Sequence, residues 1–146
     1  MPVQTGWKYF ALGSAFFAGL TAILGKLGVE GMNSNLATWI RTVVILVFIA
    51  GIISYRDEWQ WPRLNGISPV VFLALSGIAT GLSWLCYYRA LQMAPASMVA
   101  PLDKLSVAVA IALGVLFLGE KLTPQLLVGG SLIVAGAMVL VWPWDA

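Results

Sequence analysis

The chain has no histidine, a single cysteine, and charge on only 10% of its 146 residues. Each scarcity removes a class of function. Without histidine, the usual zinc, haem and catalytic-triad constellations lose their commonest member. Cys86 stands alone inside an apolar stretch, so it forms no intrachain disulfide and says nothing of the redox compartment. Eight Lys/Arg against six Asp/Glu leave a net charge of +2, dispersed and without a basic run, which is not a nucleic-acid footprint. No nucleophile has a neighbouring base, no Walker loop is present, and no carboxylates pair inward. The sequence therefore does not read as an enzyme, and it points to no metal or cofactor.

Apolar side chains are abundant instead, at 60% of the residues, against roughly half in an ordinary soluble domain. A bilayer core takes about 20 mostly apolar helical residues, because the segment itself must satisfy every backbone polar group. Five stretches qualify: about Trp7–Leu27, Leu36–Tyr55, Pro69–Met93, Ala96–Leu118 and Pro124–Trp142. The expected fold is all-α, a polytopic membrane helix bundle of about five transmembrane helices, forming one domain over residues 4–143. The first stretch is longer than the apolar core of a secretory signal and carries small residues at packing spacing, so it is read as a span.

The connections are punctuated accordingly. Gly28, Gly31, Asn33 and Asn35 break the chain after the first span. The longest and most polar connection is Tyr55 to Ser68, with Arg56, Asp57, Glu58 and Arg63. Between spans three and four only Ala94, Pro95 and Ala96 remain, which predicts a tight hairpin with Ser97 as candidate N-cap. Gly119 reads as a helix stop, with Thr123 as N-cap and Pro124 at the first helical position beyond. Trp7, Tyr9, Phe10, Trp39, Tyr55, Trp59, Trp61, Trp142 and Trp144 gather at the expected helix ends, where amphipathic rings prefer the headgroup level. Small residues four apart, such as Ala15 and Gly19 or Gly77 and Gly81, permit the close helix approach that lipid tails do not drive.

Loop charge places the N-terminus in the cytoplasm. Lys8, Arg56, Arg63 and Lys121 fall on its side, and Lys26 falls opposite. Arg41, Arg89 and Lys104 lie inside spans toward the opposite face, and counting them brings the tally to four against four. Two arrangements follow: one orientation with snorkelling cations, or insertion both ways to give an antiparallel dimer that reproduces an inverted repeat from one polypeptide.

An ionisable group at bilayer depth costs several kcal/mol unless paired, hydrated or near the interface, so such groups are the foremost site candidates. Lys26, Glu30, Arg41, Arg89, Asp103 and Lys104 all fall in the membrane half opposite the N-terminus. Four cations against two acids suit a substrate carrying a carboxylate or phosphate. Pro101, which has no N–H to donate, predicts a kinked or opened helix just before Asp103 and Lys104. Trp84 and Tyr88, one turn apart beside Arg89, suit an aromatic or cationic group. A purely structural reading is also open, in which Asp103 pairs with Arg89 or Arg41, Lys26 and Lys104 snorkel, and the two aromatic rings anchor at the interface. Glu120 and Lys121 are read as serving helix ends and orientation.

The run Tyr88-Arg89-Ala90-Leu91-Gln92-Met93-Ala94-Pro95-Ala96-Ser97-Met98-Val99-Ala100-Pro101-Leu102, then Val115-Leu116-Phe117-Leu118-Gly119-Glu120-Lys121-Leu122 and a glycine-rich last span, resembles the EamA domain of the drug/metabolite transporter superfamily. The likeness covers essentially the whole chain, with Arg41 after Trp39 at a position often basic in that family. It implies a five-helix repeat, usually duplicated and inverted within one chain. A single copy, here with the run Asp103-Lys104-Leu105-Ser106, implies a homodimer. The family moves amino acids, other metabolites, drugs or nucleotide sugars by alternating access without hydrolysing ATP. The expectation is therefore a secondary transporter of a small molecule in a bacterial-type inner membrane, with Asp103, Lys104, Arg89, Trp84, Tyr88 and Arg41 binding substrate. Its partners would be the lipid bilayer and a second copy. A non-transporting membrane subunit that stabilises or recruits another protein is the alternative, and a lipid-handling role lacks any visible catalytic constellation.

Overall fold

The computed structural model describes residues 6–60 and 69–142. The limits expected for the domain, and Trp61, Arg63 and Trp144, lie outside the described residues. Among the described residues there are six helices and no strand: α1 (Trp7–Val29), α2 (Ser34–Tyr55), α3 (Pro69–Met93), α4 (Ala96–Asp103), α5 (Ser106–Leu118) and α6 (Pro124–Val141). With α4 and α5 taken as one interrupted stretch, five are long and apolar enough to cross a membrane.

Their surfaces confirm the solvent. In no span is more than 11% of the most apolar window buried within the chain. Phe10, Leu46, Phe72 and Phe117 are all largely exposed. A soluble helix hides one apolar stripe and wets the other. Here apolar side chains face outward all round, which hydrocarbon tolerates and water does not. Hydroxyls within the spans fold back onto their own helix: Thr38 donates to the Ser34 carbonyl at 2.9 Å, Thr42 to Thr38 at 2.8 Å and Thr80 to Ser76 at 2.8 Å.

Helix ends follow local chemistry. Asn33 caps α2, its Oδ1 accepting from the N–H of Asn35 at 2.9 Å and of Leu36 at 3.4 Å. Gly31 takes the left-handed conformation, whereas Gly28 stays within α1 and Asn35 within α2, so two of the four expected breakers break nothing. Thr123 accepts from the Leu126 N–H at 3.2 Å with Pro124 opening α6, as the sequence predicts. Gly119 ends α5 at φ +67°. Ser97 is not a cap. Pro95 holds the position before α4, and its carbonyl accepts from Met98 and Val99, because its fixed φ already sets the entry.

The chain divides into two compact units. The first comprises 1–24 and 94–146, with α6 packed on both α4 and α5. The second comprises 25–93, with α2 packed on α3 and the last turn of α1 bonded to the end of α3.

Candidate functional site

In the second unit, α2 and α3 bring Arg41 onto an aromatic face. Its guanidinium carbon lies 3.1 Å from the Trp84 ring centre and 5.8 Å from that of Tyr88. A cation at this depth needs company, and the negative face of an indole supplies it. Trp84 is half-buried and Tyr88 is buried, so Tyr88 is a packing residue rather than an interfacial anchor. The ring pair is thus occupied by the chain's own cation, and that cation is Arg41, not its sequence neighbour Arg89. A stacked guanidinium keeps donors around its rim, the geometry that grips a carboxylate or phosphate.

Arg89 and Lys26 serve a different cluster. Lys26, in the last turn of α1, donates from Nζ to the Leu91 carbonyl at 2.6 Å rather than snorkelling. Gln92 donates from Nε2 to the carbonyls of Met32 at 2.6 Å and Val29 at 3.4 Å, and its Oε1 accepts from Arg89 at 3.2 Å. Gln92 stands out in the sequence by no charge and no periodicity. The one available signal was a polar side chain four residues short of Ala96, where α3 must leave carbonyls open.

In the first unit the fourth span breaks, three residues later than the proline. Pro101 fits inside α4, and the interruption falls at Lys104 and Leu105. There the bonding pattern tightens: the N–H of Lys104 goes to Pro101 O, Leu105 to Leu102 O, Val107 to Lys104 O and Ala108 to Leu105 O, each at 3.0 Å. Backbone angles of −70°, −9° at Lys104 and −60°, −21° at Leu105 are those of a 3₁₀ turn. Adjacent side chains on an α-helix diverge. At this turn Lys104 reaches Asp103, with Nζ 3.3 Å from Oδ2, so Asp103 pairs with its neighbour in the chain. The pair is partly exposed, at 54% for Lys104 and 38% for Asp103. Beside it, Ala100, Pro101, Lys104, Leu132, Ile133, Gly136 and Ala137 line an open apolar groove of about 400 Å³ between α4 and α6. Farther along, Glu120 folds back over α5, its carboxylate occupying the room that a side chain at Gly114 would need. No group of metal-ligating side chains forms among the described residues.

Residues 5–142 match the EamA-like transporter family. The chain belongs to this family. A Sinorhizobium protein named "Uncharacterized transporter in cobO 3'region" is 52% identical over 138 residues, covering 94% of this chain and 98% of that one. An uncharacterised protein of Methanocaldococcus jannaschii is 27% identical over 126 residues, covering 86% and 89%. No solved structure matches the chain. Membership and the five spans together make this EamA-family chain an integral membrane protein of a transporter family. The family match reaches across both units, from α1 through α6, so the geometry of both clusters falls inside the region that it covers.

Proposed function

We propose that the protein is a secondary transporter that moves a small solute by alternating access as a homodimer in a bacterial-type inner membrane, with its N-terminus in the cytoplasm. The observation that carries this reading is the broken fourth span, which sets an Asp103–Lys104 pair beside an apolar groove. Interrupted helices with charged groups at the interruption are how many carriers expose polar contacts inside hydrocarbon. In the first unit Asp103 and Lys104 contact solute. In the second unit Arg41, held by Trp84 and Tyr88, presents a separate donor set, and Arg89 follows Tyr88 in the chain. The cationic surplus favours a solute bearing a carboxylate or phosphate.

The reading is tested by counterflow in proteoliposomes across organic acids, amino acids, sugar phosphates and cationic drugs, alongside Asp103→Asn/Lys104→Gln. Flux that the double variant abolishes supports it. Normal flux in the double variant removes the site, and absence of flux with a stoichiometric copurifying protein favours a non-transporting subunit.

A further inference from the structure

Two helix C-termini meet in the second unit, and each is closed by a side chain from the other. The last carbonyls of a helix have no intrahelical donor and carry the negative end of its dipole. Setting two such ends together is unfavourable unless donors intervene. Lys26 of α1 supplies one to Leu91 near the end of α3, and Gln92 of α3 supplies another to Val29 and Met32 at the end of α1. Leu91 is fully buried beneath this contact, with Gly25 against Leu91 and Tyr88.

The weak point is the orientation of the Gln92 carboxamide, which has one donating and one accepting end. Reversed, it would set oxygen against the Met32 carbonyl oxygen. The Arg89 guanidinium, exposed and 3.2 Å from Oε1, holds the oxygen end and so helps the two carbonyls keep the amide end toward Met32. Arg89 does so through a neutral acceptor, whereas hydrogen bonds to a carboxylate or phosphate are roughly twice as strong and often bidentate. An anion arriving at Arg89 is therefore the better partner, and taking it leaves the carboxamide without its guide.

We propose that the Lys26–Leu91 and Gln92–Met32 bonds form a clasp that holds the ends of α1 and α3 together, and that a carboxylate or phosphate binding Arg89 releases it. This deepens the transport reading and rests on it: the clasp is the gate on the side of the membrane where α1 and α3 end, and Arg89 is its anion sensor.

The test places spin labels at Leu27→Cys and Met93→Cys, both exposed, in a Cys86→Ser background, and measures their separation in phosphatidylcholine nanodiscs. Inorganic phosphate, compared with chloride at equal ionic strength, lengthens the distance by on the order of 5 Å, about one helical turn. Arg89→Gln, which takes the guide away, is long with or without phosphate, and an Arg89→Gln distance as short as the unliganded parent's overturns the role of Arg89. Gln92→Leu is long with or without phosphate. So is the isosteric Gln92→Glu, which turns oxygens toward the Val29 and Met32 carbonyls and guards against a leucine variant that fails to fold. A wild-type distance indifferent to phosphate, or a glutamate variant that stays closed, overturns the clasp. Opening by phosphatidylglycerol in place of free phosphate assigns the anion to a lipid headgroup and overturns gating by solute. Flux is scored separately in vesicles: flux with an unresponsive clasp sinks the gate alone, and a responsive clasp with no flux sinks transport alone.

Discussion

Replacing Gly119 by alanine isolates a single physical quantity. Gly119 ends α5 at φ +67°, and a Cβ built there meets nothing within 4 Å. Alanine therefore loses no packing and suffers no clash; it suffers only the left-handed backbone, which costs an L-residue about 1 to 2 kcal/mol. That is about a 5- to 30-fold loss in the folded-to-unfolded ratio. Asparagine tolerates the conformation and loses less. Gly51 provides the control, since it is also open around its Cβ but lies within α2. There the same substitution is favourable by up to about 1 kcal/mol, because glycine is the poorer helix former. Asp57 is the reverse case. It ends α2 at φ +53°, with the Glu58 N–H reaching Ile53 O at 3.0 Å and the Asp57 N–H reaching Ser54 O at 3.4 Å, a glycine-type stop made without glycine. Asp57→Gly is expected to gain at most about 1 kcal/mol, part of the relief being lost to the greater freedom of unfolded glycine. Tryptophan fluorescence during SDS titration of the detergent-purified protein measures all four variants. If Gly119→Ala and Gly51→Ala shift the midpoint in the same direction by the same amount, the left-handed argument is refuted.

Three further outcomes are expected. A double-mutant cycle on Arg41→Gln and Trp84→Leu should return a coupling of about 0.5 to 2 kcal/mol in the same titration; a coupling indistinguishable from zero means the stacked geometry contributes nothing. Gly114→Ala should displace the flexible Glu120 side chain rather than unfold α5, leaving stability in the same titration unchanged or slightly raised; a loss above roughly 2 kcal/mol would show that Glu120 cannot yield. Pro101→Ala restores a donor toward the Ser97 carbonyl, inside α4 and upstream of the break, so the turn at Lys104 and Leu105 should persist and solute counterflow should stay near the parent's. If its flux matches the parent while amide hydrogen exchange at Lys104 and Leu105 slows, the break is dispensable for transport.

The spans were legible because the bilayer imposes a length and a composition that any reading of the residues detects. Four of five were placed within two residues at each end, and the fifth, spanning Ala96 to Leu118, differed only in being interrupted. The Thr123 cap was legible because the donor it satisfies is three residues away, whereas Asn33 was read only as a chain break and the structure shows it to be a cap. Ser97 misled for the opposite reason: serine is a good cap, but the proline two residues earlier had already fixed the entry. Among the charges, the sequence left the partners open, and the structure supplies them. Arg41 went to Trp84, Asp103 to Lys104, and Arg89 to a glutamine that no composition rule singles out.

The sequence by itself determined that this chain lives in hydrocarbon, how often it crosses, where most helices stop, and which few charges must find partners there. These are properties of single helices and of the solvent, and they act through near neighbours along the chain. The tertiary structure decided which partner each charge takes, where the fourth span opens, and that the ends of α1 and α3 are closed by each other's side chains. Those choices join residues such as Lys26 and Leu91 that lie 65 positions apart, and only packing brings such groups within the 3 Å or so that a hydrogen bond requires.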